Sequence, residues 1–181
     1  MATTTSTEIV VLEGRGLMAR EAADEQQYLT FNLAGEQYGI DILRVQEIRG
    51  WTPPTRIPNV PAFVRGVMNL RGAIVPIVDL RGRFGLDTAA YSSTTVVILS
   101  MIREEAGDRI VGLVADSVSD VLDIHADQIQ PPPHFGSSVQ IEFIGGLVAL
   151  ETGMVMLLDV DRLLSVEELF ALTAAPSQLA A

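Results

Sequence analysis

The chain has 181 residues, 48% of them hydrophobic, with no cysteine, two histidines and a formal net charge of -11. Lack of cysteine excludes disulfide scaffolds, thiolate metal sites and a cysteine nucleophile, while an acidic chain whose twelve basic residues are all scattered arginines is a poor match for a phosphate backbone. No apolar run approaches the roughly 20 residues of a membrane span and the first residues lack a secretion signal, so a cytosolic protein with no nucleic-acid partner and no direct membrane insertion is expected.

Residues 1–25, rich in Thr, Ala and Glu, read as a flexible tail. Within it Gly14-Arg15-Gly16-Leu17-Met18-Ala19 matches the dinucleotide fingerprint Gly-x-Gly-x-x-Gly/Ala. That motif works only where it opens a helix inside a βαβ unit. The segment after it has antiparallel-type alternation instead, so the match reads as a coincidence of the tail. Leu29, Phe31 and Leu33 alternate with Tyr28, Thr30 and Asn32, which predicts a half-buried strand. Prolines at 53, 54, 58 and 61 forbid a long helix. Residues 67–70 and 73–78 flank Arg71-Gly72, a tight hairpin. The β-branched runs 94–99 and 109–114 are joined by Glu104-Glu105-Ala106-Gly107-Asp108, a second hairpin. Three prolines at 131–133 interrupt the chain again. Near the end Ser165, with Glu168 three residues on, forms a capping box that predicts a short C-terminal helix. Residues 173–181 read as a second tail.

An internal repeat runs through these elements. Gly39, Ile40, Val45, Glu47 and Ile48 match Gly112, Leu113, Val118, Asp120 and Val121 at an offset of 73. Ile57, Pro61 and Phe63 match Ile129, Pro133 and Phe135 at 72. Gly66, Val67, Leu70 and Asp79 match Gly146, Leu147, Leu150 and Asp159 at 80, which implies an eight-residue insertion around 136–143. The repeat predicts two small β units, 28–90 and 91–165. Units near 60 residues bury too little surface to stand alone, so the two should share a core and bind ligands in the groove between them.

Catalytic chemistry is not in evidence. Asp116, Asp120, Asp123, His125 and Asp127 form an acidic stretch without calcium-loop spacing, which reads as a solvated face. His134 comes after the prolines with no second ligand at zinc spacing. Neither a nucleophile elbow nor a Walker loop occurs. A binding module with no cofactor and no metal is therefore expected. Arg71 at a hairpin tip is either an ordinary soluble surface residue or an interface anchor beside apolar strand residues.

Two long stretches resemble the CheW family: Glu36-Gln37-Tyr38-Gly39-Ile40-Asp41-Ile42-Leu43-Arg44-Val45-Gln46-Glu47-Ile48-Arg49-Gly50, and the run from Ile57-Pro58-Asn59-Val60-Pro61 through Arg65-Gly66-Val67-Met68-Asn69-Leu70-Arg71-Gly72 to Asp79-Leu80-Arg81. Val118-Ser119-Asp120-Val121 also fits, and the likeness spans about residues 26–172. The resemblance implies a mainly β fold of two SH3-like five-stranded barrels. It implies a non-enzymatic adaptor joining the cytoplasmic tip of methyl-accepting chemotaxis receptors to the regulatory domain of the histidine kinase CheA in receptor arrays. Carried over, the receptor surface comprises Ile42, Val45, Glu47, Asn69, Arg71, Val118 and Val121, and the kinase surface lies near Pro54 and Ile74. The same fold serving a twitching or other non-flagellar pathway is an alternative. A dinucleotide-binding enzyme built on residues 14–19 is a distant one.

Overall fold

The computed structural model describes residues 24–105, 107–134 and 141–163. The fingerprint at 14–19 and the helix expected after Ser165 lie outside the described residues. The elements run β1 (Glu25–Leu33), β2 (Glu36–Asp41), a 3-10 turn (Ile42–Arg44), β3 (Val45–Gly50), β4 (Val64–Leu70), β5 (Ala73–Asp79), α1 (Leu80–Arg83), β6 (Val96–Ile102), β7 (Arg109–Ala115), β8 (Ser117–His125), a 3-10 turn (Ala126–Gln128), β9 (Ile129–Gln130), β10 (Ile144–Leu150), β11 (Gly153–Leu158) and α2 (Val160–Leu163). Both hairpins expected from turn chemistry, β4–β5 across Arg71-Gly72 and β6–β7, are antiparallel pairs.

The strands form two sheets, ordered β8-β1-β2-β11-β10-β9 and β3-β6-β7-β5-β4. Each curls into a small barrel. The second closes where the chain leaving β3 returns at Thr55 to bridge Val67 on β4, through hydrogen bonds of 2.9 and 2.8 Å. The first closes the same way, the chain leaving β8 returning as β9 to pair with β10. The fold is thus mainly β, in two β subdomains.

The expected division at residue 90 is corrected. Each repeat sends its opening hairpin to one barrel and its remaining strands to the other. Strands β1 and β2 complete a barrel otherwise built from 117–158, while β6 and β7 complete one built from 45–79. The joints are parallel pairs, β2 with β11 and β5 with β7. A parallel pair needs a long crossover connection, and here the intervening strands supply it.

The repeat survives this exchange at offsets 73 and 80. Gly39 pairs with Leu157 as Gly112 pairs with Ile77. The β4–β5 and β10–β11 hairpins share one register, with a bulge after Val64 in one and Ile144 in the other. Asp79 and Asp159 persist because each accepts a hydrogen bond from a backbone N–H of the following helix, at 3.0 Å in both. Gly66 persists because a Cβ there would stand 2.1 Å from the Thr55 carbonyl oxygen, and at Gly146 one would stand 2.4 Å from Ile129. The matches at offset 72 are corrected: Thr55 opposite Val67 is equivalent to Gln130 opposite Leu147, so Ile57 does not match Ile129, while Pro61 corresponds to Ile141, not Pro133, and Phe63 to Phe143, not Phe135. The Asp79 N–H donates to Phe63 O at 2.7 Å and the Asp159 N–H to Phe143 O at 2.8 Å. The insertion therefore falls between Gln130 and Ile141.

Burial obeys the same geometry. Leu29, Phe31, Leu33 and Ile40 pack with Ile98, Ile102, Val111 and Leu113 in a core shared by the barrels. Each barrel keeps its own smaller core, Val75, Ile77, Val97 and Leu99 in one, Tyr28, Ile124, Val148 and Val155 in the other. β1 is consequently not half-buried as expected. Its two faces serve two cores, and Tyr28 and Thr30 are buried as well. Thr30 meets the cost of burying a hydroxyl by donating to Asp120 O at 2.8 Å.

Candidate protein-interaction surface

The β4–β5 turn holds Arg71 at φ 50° and Gly72 at φ 90°. Positive φ at both central positions is the type I′ geometry whose twist suits a hairpin. Glycine tolerates it, whereas a non-glycine residue there is uncommon and strained. Asn69 holds the turn, its Oδ1 accepting the Gly72 N–H at 2.9 Å. The Arg71 side chain is 80% exposed, and its Nη2 lies 3.2 Å from Glu47 Oε2. Glu47 also faces Arg49 Nε at 3.6 Å. β3 and β4 stand at opposite ends of their sheet order, so barrel closure is what joins Glu47 to Arg71. A bulge between Val45 and Glu47 adjusts the register just before it.

Ile42, Val45 and Val118 rim the shared core, half-buried against it. Val121 is 45% exposed on β8. These positions come in repeat-related pairs. Val45 pairs with Ser100 as Val118 pairs with Phe31, and Ile48 with Ile98 as Val121 with Leu29. The sequence reading missed Leu43 and Ile48, which expose large apolar side chains on the 3-10 turn and β3. The 73-residue match of Ile48 to Val121 was the available signal.

Pro54 is half-buried and precedes the bridging Thr55. Ile74 is 66% exposed directly opposite Asn69. Opposed residues in an antiparallel pair share a face, so Asn69 and Ile74, expected on different surfaces, are neighbours on one hairpin. A groove of about 490 Å³ beside Asn69 is lined by Arg49, Gly50, Trp51, Thr52 and Met68.

Two ion pairs pin the junction of the barrels. Arg44 forms a bidentate pair with Asp161, with Nη1 to Oδ1 at 3.1 Å, and also donates to Met101 O at 3.1 Å. Arg103 N–H donates to Asp161 at 2.8 Å. Arg81 forms the second pair with Asp116, through Nε at 2.7 Å, and Asp116 also accepts the Ala34 N–H at 2.9 Å. The Arg81 hydrogen bonds hold the Asp116 carboxyl below its ordinary range, outweighing its partial burial. Asp116 is thus a structural partner and not part of a solvated face. Tyr91 donates to Asp79 at 2.7 Å, and burial, with that bond second, pushes its hydroxyl pKa up to about 12. Among the described residues no three His, Cys, Asp or Glu side chains converge on a metal site, and no helix is long and apolar enough to cross a membrane.

A family model for a CheW-like domain matches residues 27–168. The chain is 50% identical over 144 residues to a chemotaxis protein CheW of Klebsiella aerogenes, covering 80% of this chain and 84% of that one. It is 38% identical over 143 residues to the chemotaxis protein CheW of Rhizobium meliloti, covering 79% and 90%. A crystal structure of the scaffolding protein TtCheW from Thermoanaerobacter tengcongensis superposes with a TM-score of 0.70 at 31% identity, over 79% of this chain and 94% of that one. The matching family model, the 50% identical relative and the fold shared with the solved scaffold protein agree: the chain belongs to the CheW family, chemotaxis scaffold proteins that are not enzymes.

Proposed function

We propose that this scaffold couples the cytoplasmic tip of methyl-accepting chemoreceptors to the regulatory domain of the kinase CheA, acting in the cytosol and recruited to receptor arrays. The observation that carries the reading is Arg71. A long charged side chain occupies a strained turn position, four-fifths exposed, with its guanidinium oriented by Glu47. Ile42, Val45, Val118 and Val121 offer apolar side chains along the rim of the core shared by the barrels, the chemistry on which the apolar face of a helix docks. The kinase surface is proposed around Pro54 and Ile74, on the outside of the second barrel, adjoining the receptor surface where Ile74 faces Asn69.

Arg71→Ala removes a side chain that packs against nothing in the core, so the fold should keep its stability within about 0.5 kcal/mol. Truncating a central interface arginine costs about 2 kcal/mol of binding or more, a loss near 30-fold. Titration of the variant against a receptor hairpin fragment should show that loss, while its affinity for the isolated kinase domain stays near wild type. Arg71→Lys should recover only part, since an ammonium lacks the planar fork. Equal losses toward both partners would overturn the assignment of two surfaces.

A further inference from the structure

We infer that this chain exchanges halves with a second copy of itself, so that residues 96–163 of one molecule complete the barrels begun by residues 24–83 of another. Within each half the strands pair only locally, as the hairpins β1–β2 and β4–β5, or β6–β7 and β10–β11 with β9 alongside. Every other ladder runs between the halves: β1 with β8, β2 with β11, β3 with β6 and β5 with β7. Both junction ion pairs, Arg44–Asp161 and Arg81–Asp116, also cross. Neither half closes a barrel alone, and each fits the other along its full length.

One covalent link joins them, residues 84–95, which contains no strand: Phe84 and Leu86 pack on the shared core, Tyr91 packs on Trp51 and Thr95 is buried, so the hinge is the exposed run Asp87 to Ala90 between them. A second molecule's half offers the same ladders, cores and ion pairs. Exchange therefore needs only the exposed run 87–90 to re-route, leaves every other contact in place, and competes against intramolecular closure, whose effective concentration across a short connection is on the order of millimolar. In the exchanged dimer each seam is composite. Ile42, Val45, Glu47 and Arg71 come from one chain, Val118 and Val121 from its partner, and two complete units are tied together.

The absence of native cysteine allows a direct test with full-length chains. Gln27 and Asp123 oppose each other across β1 and β8 and their side chains hydrogen-bond; directly opposed antiparallel residues have Cα atoms about 4.5–5.5 Å apart, a spacing a disulfide can bridge. Gln27→Cys and Asp123→Cys are placed on separate chains, mixed, unfolded in urea, refolded at rising protein concentration and oxidised. Ala149→Cys and Met154→Cys, opposed within one half, serve as the matched control. Exchange predicts a cross-chain disulfide for the first pair that grows with concentration, and none above background for the second. Deleting residues 88–90 shortens the link and should shift the first pair further toward the dimer by size-exclusion chromatography with light scattering. Absence of the first cross-link at every concentration, or equal cross-linking of the two pairs, overturns the inference.

Discussion

Asp161 is where removing one carboxylate should reach both the fold and the interaction surface. It accepts two hydrogen bonds from Arg44 and one from the Arg103 backbone, with side-chain exposures of 30% for Asp161 and 15% for Arg44. Breaking a fully buried pair costs about 3–5 kcal/mol, because the remaining charge loses its partner. Here part of the pair is solvated and Arg44 keeps the Met101 carbonyl, so Asp161→Ala should cost about 2–3 kcal/mol. At roughly 2–4 °C per kcal/mol for a chain of this size, the melting temperature should fall by about 5–10 °C. Arg44 is the last residue of the turn that carries Ile42 and Leu43, so receptor-fragment affinity should weaken as well. Arg44→Met with Asp161→Leu removes both charges together and should recover most of the stability, since an apolar pair of similar volume replaces the ion pair. The assay is thermal unfolding of wild type, Asp161→Ala, and the cycle formed by Arg44→Met, Asp161→Leu and the double variant. A loss below about 0.5 kcal/mol for Asp161→Ala, or a double variant no better than the sum of the singles, would refute the role assigned to this pair.

Gly66→Ala should cost at least about 3 kcal/mol, because its Cβ meets Thr55 backbone at φ 140°, whereas Gly72→Ala at φ 90° meets open space and should cost about 1–2 kcal/mol; equal costs by denaturant titration would contradict the close-approach argument. Folding lowers the Asp116 pKa, so its contribution is present above the unfolded value of about 3.9 and disappears as pH falls through the folded one. Asp116→Asn should therefore be less stable than wild type at neutral pH and converge with it in acid, as read by melting temperature against pH. Tyr91 is raised to about 12, so its contribution is full below the unfolded value of about 10 and is lost as pH climbs through the folded one. The stability gap between Tyr91→Phe and wild type should accordingly narrow in that alkaline window, and a gap independent of pH would contradict the buried hydrogen bond to Asp79.

Much of this protein was legible before any coordinates. Turn residues and β-branched runs specify hairpins locally, so β4–β5 and β6–β7 fell where Arg71-Gly72 and residues 104–108 put them. The repeat was visible because its Gly and Asp positions answer to local needs, a close backbone approach at Gly66 and a helix cap at Asp79. The family likeness carried the two-barrel fold and named Glu47 and Arg71, which the structure joins at 3.2 Å.

What tertiary structure alone decided is which strands go together. Two repeats with the same apolar pattern can close on themselves or on each other, and alternation reads identically in both cases. The exchange of opening hairpins arises from parallel pairing across the molecule, β2 on β11 and β7 on β5, contacts between segments far apart in the chain that no local signal encodes. The same exchange buries Tyr28 and Thr30 and turns Asp116 from an apparent surface acid into the partner of Arg81. Hydrophobic period and turn chemistry determine each strand and its faces, but what covers a face is settled only when distant segments meet.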